Sequence, residues 1–448
     1  MLSIEESRAA SERLVESAVR AGADCADVLY AGSRSTDVQV RLGELDHVSR
    51  SESEEIGLRV FVGSQSASVA SSDLSRDALE ELVTRAIAMA AEAPEDPFAG
   101  LAPAELLAKG AFPDLEIFEG SEPGPAELKA SALRAEAAAL AVAGVTNSSG
   151  SGASSAASTV ALATSGGFSG SYRGASRGCS VSVVAGEGSQ MQRDGWWQTA
   201  RFESDLDDPE QIGREAGARA VARLNPVRPK AGRMPVIFEP RVATALLGHF
   251  AGAITGSSVA RKSSFLQEKL GSRVFAEGVS IVDDPLRKRG LRSRPFDGEG
   301  LGVQRQDIVA DGVLTTWMAD SASARQLGIA PTGHASRGVG SAPGVAPSNF
   351  YIRAGQRSRV ELLSAFPEAL LVTELIGHGV NPVTGDYSRG AAGFLVSRGE
   401  IGPAVQEITI AANLVDMFAT LEPGSDLEFR RGIDAPTILI PEMTVGTA

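Results

Sequence analysis

The sequence predicts an α+β fold in three parts, and three observations carry that expectation. Within the first hundred or so residues the apolar positions switch from helical spacing to alternation and back again. Residues 146–200 are rich in Ser, Gly and Ala, yet keep the alternating apolar positions of strands. Beyond residue 231 short β-prone runs and turn signals outnumber helical stretches, which calls for extensive sheet. The expected parts are an amino-terminal α/β domain over 1–100, a middle α+β region over 111–226 and a mixed carboxy-terminal domain over 231–448.

Ser3 and Glu6 have the spacing of a capping box, and Leu14, Val15, Ala18 and Val19 recur at helical spacing until Gly22 stops the run. Val28/Tyr30, Val38/Val40/Leu42 and Leu58/Val60/Val62 then alternate, with Gly32, Gly43, Gly57 and Gly63 read as separators between antiparallel strands. A second amphipathic helix is expected over 75–91, followed by a linker marked by Pro94, Pro97 and Gly100. The Ala-rich segment 126–143 has strong helix propensity. Val160/Leu162 and Val181/Val183 have strand spacing, and the Ser-rich run 148–155 fits either a strand or a disordered segment. Asp208 before Pro209 starts a helix that Asn225-Pro226 ends.

In the third part, 235–238 reads as a strand and 242–254 as a helix, where Gly248 and Gly252 would let another element approach closely. Asp311-Gly312 between apolar residues is a hairpin signal for a type I′ turn. A strand at 370–373 is expected to lead into a glycine-rich loop spanning 377–393. Further β-prone runs at 394–396 and 408–411, a short helix over 413–421 and a last strand at 437–440 complete the chain.

At 448 residues the chain has room for two or three domains, at roughly 150 residues each. A hydrophobic fraction of 43% and a charged fraction of 22% are those of a protein that folds in water. The net charge of -14 and the absence of any long basic run exclude a phosphate-binding surface readable from sequence, so nucleic acid is not an expected partner. The longest basic run, Arg287-Lys288-Arg289, reads as a solvated surface turn. Cys25 and Cys179 are the only cysteines, too few and too far apart for a disulfide framework or a zinc finger. With no basic leader and no apolar run of about 18 residues, no membrane association is expected and the cytoplasm is the expected compartment.

A catalytic zinc needs about three protein ligands, two of which are commonly supplied from one helix. The four histidines, His47, His249, His334 and His378, are too scattered to supply such a pair, and His249 reads as a hydrogen-bonded packing residue. Glu374 and His378 stand four apart, but Gly377 and Gly379 argue against the helix that would bring them together. Gly174-Ala175-Ser176-Arg177-Gly178 matches the pattern of a nucleophile elbow, yet strand-like residues follow it where a helix is required. The most site-like stretch is Thr384 to Gly393. There Arg389 can fork onto a carboxylate and Tyr387 can pack an extended peptide, or Asp386 and Arg389 simply pair across an internal turn. Ser257 to Ser264, with Arg261 and Lys262, either orders a loop over a cleft or covers its rim.

Several longer runs carry a family likeness: Gly248 to Phe265, Pro295 to Gly300, Ser321 to Gly328, Thr332 to His334 and Gly385 to Gly393, with Glu54 to Arg59 near the amino terminus. Together they resemble the TldD/PmbA family, in its PmbA-type (TldE-type) branch, along nearly the whole chain. The resemblance implies a three-part chain whose carboxy-terminal domain meets a TldD-type partner. That partner would carry an H-E-x-x-x-H helix and a later cysteine as zinc ligands, and the pair would enclose a chamber for unfolded peptides. Setting this sequence on that motif puts Gly248 and Ala253 at the histidine positions and His249 at the glutamate, while the cysteine region is Phe429 to Pro436, without a thiol. No catalytic residue and no metal ligand are therefore expected in this chain, and zinc is expected in the partner.

By this reading the chain shapes the chamber and holds substrate, with Arg261, Lys262, Asp386, Tyr387 and Arg389 as candidate substrate-binding residues. Two other readings are a homodimeric metallopeptidase in its own right and a protein-binding regulator of DNA gyrase.

Overall fold

The computed structural model describes residues 1–447 and has the mixed α+β architecture expected, organised around two large sheets. The first is a six-stranded antiparallel sheet in the order Gln65–Ser71, Glu44–Val62, Cys25–Arg41, Val145–Thr164, Ser169–Ala185, Gln192–Ala200. Strands from residues 1–100 and from 111–226 thus form one continuous sheet, joined where Cys25–Arg41 pairs with Val145–Thr164. The Ser-rich run 148–155 lies inside a paired strand.

Helices cover one face of this sheet. Ile4–Arg20 starts with the full capping box, the Ser3 hydroxyl accepting from the Glu6 amide at 3.2 Å and the Glu6 carboxylate accepting from the Ser3 amide at 2.9 Å. Such a cap stabilises a helix by about 1 kcal/mol. Leu14, Val15 and Ala18 of this helix and Leu82, Val83 and Ala86 of Arg76–Ala91 bury against Val28, Tyr30, Leu58 and Val60. Pro125–Leu140 and Pro209–Ala222 cover the other half through Ala135, Ala139, Ile212 and Ala216 against Val181 and Val183. The second helix of that pair starts where expected, the Asp208 carboxylate accepting from the Glu210 amide at 2.8 Å.

The opposite face of the sheet receives the carboxy-terminal domain. Leu29 and Leu162, which alternate with the helix-facing residues, meet Phe168, Phe296 and Leu301. Phe296 stacks edge-on against Phe168 at 4.9 Å and Tyr172 at 5.4 Å between ring centroids. The glycine separators divide here into two kinds. Gly43 and Gly63, both with positive φ, are turns, whereas Gly32 and Gly57 lie within long strands. Gly57 is there because a Cβ would collide with the backbone carbonyl of Val339, so its absence lets a carboxy-terminal loop lie directly on the strand.

In the carboxy-terminal domain Glu400–Asn413, Asp386–Ser397, Glu368–Ile376, Gly232–Phe238 and Ile438–Thr447 pair in that order. Ile408 to Ala411 then pairs with Thr444 to Thr447, closing the ring. All its pairings are antiparallel except that between Glu368–Ile376 and Gly232–Phe238. The hairpin at Asp311-Gly312 forms with φ of 48° and 79°, as a type I′ turn requires. The region 377–393 departs from the loop expectation: only 377–385 is loop, and Asp386–Ser397 is a strand against Glu368–Ile376. Gly393 belongs in that strand because a side chain would strike the Leu371 carbonyl.

Charge pairs clasp the two halves. Asp27 lies buried between the guanidinium groups of Arg59 and Arg337, which hold its carboxyl below the usual range against the upward push of burial. Asp194 on the first sheet accepts from Arg241 at 3.0 Å, and Arg219 forks onto Glu239 at 2.9 and 2.6 Å. Glu239 and Arg241 flank the start of helix Pro240–Ala253, so these bonds fix that helix against the first sheet. The basic triplet is an exposed turn, as expected, and it is also paired: Lys288 and Arg289 meet Glu116, Arg289 also meets Asp205, and Arg287 lies over the Phe429 ring.

Candidate functional site

The helix Pro240–Ala253 carries, by resemblance, the two histidine positions of the zinc motif, at Gly248 and Ala253, and the glutamate position, at His249. Val242, Leu246, Leu247 and Phe250 bury one side of it, and Phe250 meets Phe275 at 4.9 Å and Phe418 at 6.0 Å between centroids. Gly248 and Gly252 do not serve close packing: a Cβ added at either meets nothing within 4 Å. They line an open edge of the helix. Ala253 is buried and Gly248 exposed. Neither has a side-chain donor atom.

His249 stands between them, half-buried, with its ring edge-on to Tyr387 at 6.0 Å. Packing is as expected, but hydrogen bonding is not, because its Nε2 is buried without a partner. Burial, then the charges of Arg389 and His378, hold this imidazole below its ordinary pKa. One turn away along the helix stand Ala245, Leu246, Gly252 and Ala253, so His249 has no second ligand on its own element. Among the described residues no three His, Cys, Asp or Glu side chains gather as a metal would require. The residues here do not fit a zinc ion.

Tyr387 and Arg389 project from one face of Asp386–Ser397, being two apart on a strand. Tyr387 is 1% exposed, within the apolar core, and so has no ring face to offer a peptide. Its hydroxyl is buried without a partner, and burial raises its pKa, with Arg389 pulling the other way. Arg389 is part-exposed, and its Nε is also without a partner. The alternative of an internal Asp386–Arg389 pair is not what forms. Asp386 faces the opposite way and accepts from Thr384 Oγ1 at 2.6 Å and Asn413 Nδ2 at 3.2 Å.

Arg261 and Lys262 follow the short helix Gly256–Ala260 and are exposed, Lys262 with a φ of 56°. The next residues dock on the loop before the strand, where the Phe265 amide donates to the Pro382 carbonyl at 2.9 Å. The structure therefore brings His249, Tyr387 and Arg389 together and leaves Arg261, Lys262 and Asp386 outside that cluster. Glu374 is taken up by Arg223, while His378 is exposed on the loop and near enough for its charge to act on His249. The Gly174 to Gly178 pattern lies in an uninterrupted strand, with no elbow.

Two buried carboxylates were not singled out from sequence. Glu299 is 4% exposed and accepts from the Ser321 amide at 2.8 Å and hydroxyl at 2.7 Å. Burial pushes its pKa up to about 7, with the neighbouring charge of Asp297 adding to the rise. Asp297, itself raised by burial, accepts from the amides of Glu299, Leu301 and Ala335 at 2.9, 2.9 and 3.2 Å. Both stand in the loop whose Phe296 meets the first sheet. Phe429, in the segment where a cysteine ligand would fall, is exposed beneath the Arg287 guanidinium, 3.4 Å from the ring centre.

Residues 26–90, 118–224 and 231–447 match, in that order, the PmbA/TldA metallopeptidase domain 1, central domain and C-terminal domain. The chain is 38% identical over 447 residues to Metalloprotease PmbA of Escherichia coli O157:H7, covering 99% of this chain and 97% of that protein. A Bacteroides thetaiotaomicron protein described as a candidate modulator of DNA gyrase superimposes with a TM-score of 0.92 over the whole of both chains, at 23% identity. TldE from Thermococcus kodakarensis superimposes with a TM-score of 0.87, covering 98% of this chain and 100% of that one, at 19% identity.

Proposed function

Because the chain belongs to the PmbA/TldD metallopeptidase family, we propose that it is the PmbA-type, non-catalytic subunit of a two-chain cytoplasmic peptidase. A TldD-type partner with the H-E-x-x-x-H helix supplies the zinc and cleaves unfolded peptides. This chain completes the chamber and holds the extended substrate. The observation that carries the reading is the helix Pro240–Ala253, which packs against the core but presents Gly248 and Ala253 where the histidine ligands are needed and His249 where the glutamate is. Gly248 and Ala253 have no side-chain lone pair, and His249 alone cannot hold a cation that polarises a peptide carbonyl.

Glycine-rich backbone near the open helix edge, and the segments bearing Arg261, Lys262, Asp386, Tyr387 and Arg389, are the surfaces assigned to substrate. No helix among the described residues is long and apolar enough to cross a membrane. A homodimeric peptidase would have to find its ligands outside this helix. Contact with DNA gyrase takes its support from the description of the Bacteroides protein, and the net charge of -14 favours a protein surface over DNA for any such contact.

Reconstitution tests the proposal. Adding this chain to a TldD-type chain that is inactive alone should give turnover of an unstructured peptide and a stable one-to-one complex. Failure to associate with any such chain, together with retention on gyrase, would replace the reading.

A further inference from the structure

Three polar atoms gathered from two distant segments are buried with no hydrogen-bond partner in the protein: Nε2 of His249, the hydroxyl of Tyr387 and Nε of Arg389. Buried polar atoms are almost always paired, so three orphans in one place mark a gap that another molecule's atoms can fill. The cluster is coherent. The His249 and Tyr387 rings touch edge-on, and the Arg389 charge acts on both groups. Tyr387 is 1% exposed, so its hydroxyl has no bulk water to fall back on.

The chemistry of the set is one-sided. It offers a permanent cation with a planar fork, a phenolic O–H and an imidazole N–H, while the nearby carboxylates are engaged elsewhere, Asp386 with Thr384 and Asn413 and Glu374 with Arg223. With the imidazole in its Nε2–H tautomer all three atoms can donate, and such a set matches two oxygens sharing a negative charge. Access is open along the helix edge, where Gly248 and Gly252 leave free space beside His249.

We infer that His249, Tyr387 and Arg389 form a subsite that binds a carboxylate of the peptide substrate. The inference rests on the peptide-binding reading above and adds the group that is recognised. A carboxylate there relieves all three orphans at once, and it holds one point of an extended chain while the remainder runs toward the partner's catalytic helix. The source is either the peptide's carboxy terminus or an acidic side chain, and the same fork receives both.

The test uses fluorescein-labelled unstructured peptides and the full chain, alone and with its TldD-type partner. Three peptides are compared: a free carboxy terminus, a carboxy-terminal amide, and the amide with one internal Glu. Binding of the free acid at least tenfold tighter than the plain amide, a ratio that falls to about one in Arg389→Met, supports the subsite. Tight binding of the internal-Glu amide with the same Arg389 dependence supports it too and names the side chain as the source. Tyr387→Phe, which removes only an oxygen from a packed ring, should lower the ratio while leaving the fold intact. Equal binding of all three peptides by the wild-type chain overturns the carboxylate subsite but leaves peptide binding standing. A preference untouched by both substitutions also overturns it. No binding of any peptide, alone or in the complex, overturns the functional reading itself.

Discussion

Glu299→Gln is the substitution that reports most directly on the proton buried in the loop behind Phe296. The carboxyl is 4% exposed and tied to the Ser321 amide and hydroxyl. Its pKa is raised from 4.5 to about 7, by burial first and by the Asp297 charge in addition. A folded-state pKa above the unfolded one means that the folded protein binds the extra proton. The associated stability is therefore complete below about pH 4.5 and is lost as pH rises through about 7. A rise of that size corresponds to about 3 kcal/mol across the interval. If the chain unfolds as one unit, an entropy of about 2.1 cal/mol/K per residue turns this into about 3 °C of melting temperature. Gln keeps the shape of the protonated acid but cannot ionise. The melting temperature of Glu299→Gln relative to wild type, followed by scanning fluorimetry, should rise by about 3 °C between pH 5 and pH 8. A difference that stays flat over that range would refute the assignment of the buried proton to Glu299.

Two further outcomes follow from packing. Gly57→Ala drives a methyl group into the Val339 carbonyl, so the loop must leave the strand; we expect a loss of about 1–3 kcal/mol, read as a lower denaturation midpoint and faster proteolysis within residues 335–345. Tyr387→Phe deletes a buried hydroxyl that has no partner, and its stability should equal or exceed that of wild type by up to about 1 kcal/mol in a urea titration, in contrast to a hydroxyl that was hydrogen-bonded.

Local chemistry was legible from sequence where local chemistry decides the structure. Ser3 and Glu6 cap the first helix, Asp208 caps another, and Asp311-Gly312 turns a hairpin, because each motif satisfies its own backbone within a few residues. What escaped depends on partners far along the chain. Gly57 looks like a turn until Val339 is laid against it, and Gly248 looks like a packing residue until nothing is found opposite. Arg287 to Arg289 form the solvated turn that their sequence suggests, but their pairing with Glu116, Asp205 and Phe429 depends on segments far along the chain. The strand Asp386–Ser397 was hidden by its glycines, which flexible loops and tightly crowded strands share. Once that strand is recognised, Tyr387 and Arg389 fall on one face by period alone, but their meeting with His249 is a tertiary fact with no sequence signal. The three runs matched to domain 1, the central domain and the C-terminal domain hold the longest family-like stretches, including Gly248 to Phe265 and Gly385 to Gly393.

The decisive property of this chain is whether it can hold the hydrolytic cation itself. Elemental analysis of the purified chain, beside its complex with a TldD-type partner and with peptide turnover measured on the same samples, asks that directly. We predict no transition metal in proportion to this chain and no turnover by it alone, with zinc and activity both arriving at one equivalent per partner chain. One equivalent of zinc bound by this chain alone, with turnover that a chelator removes, would contradict the account.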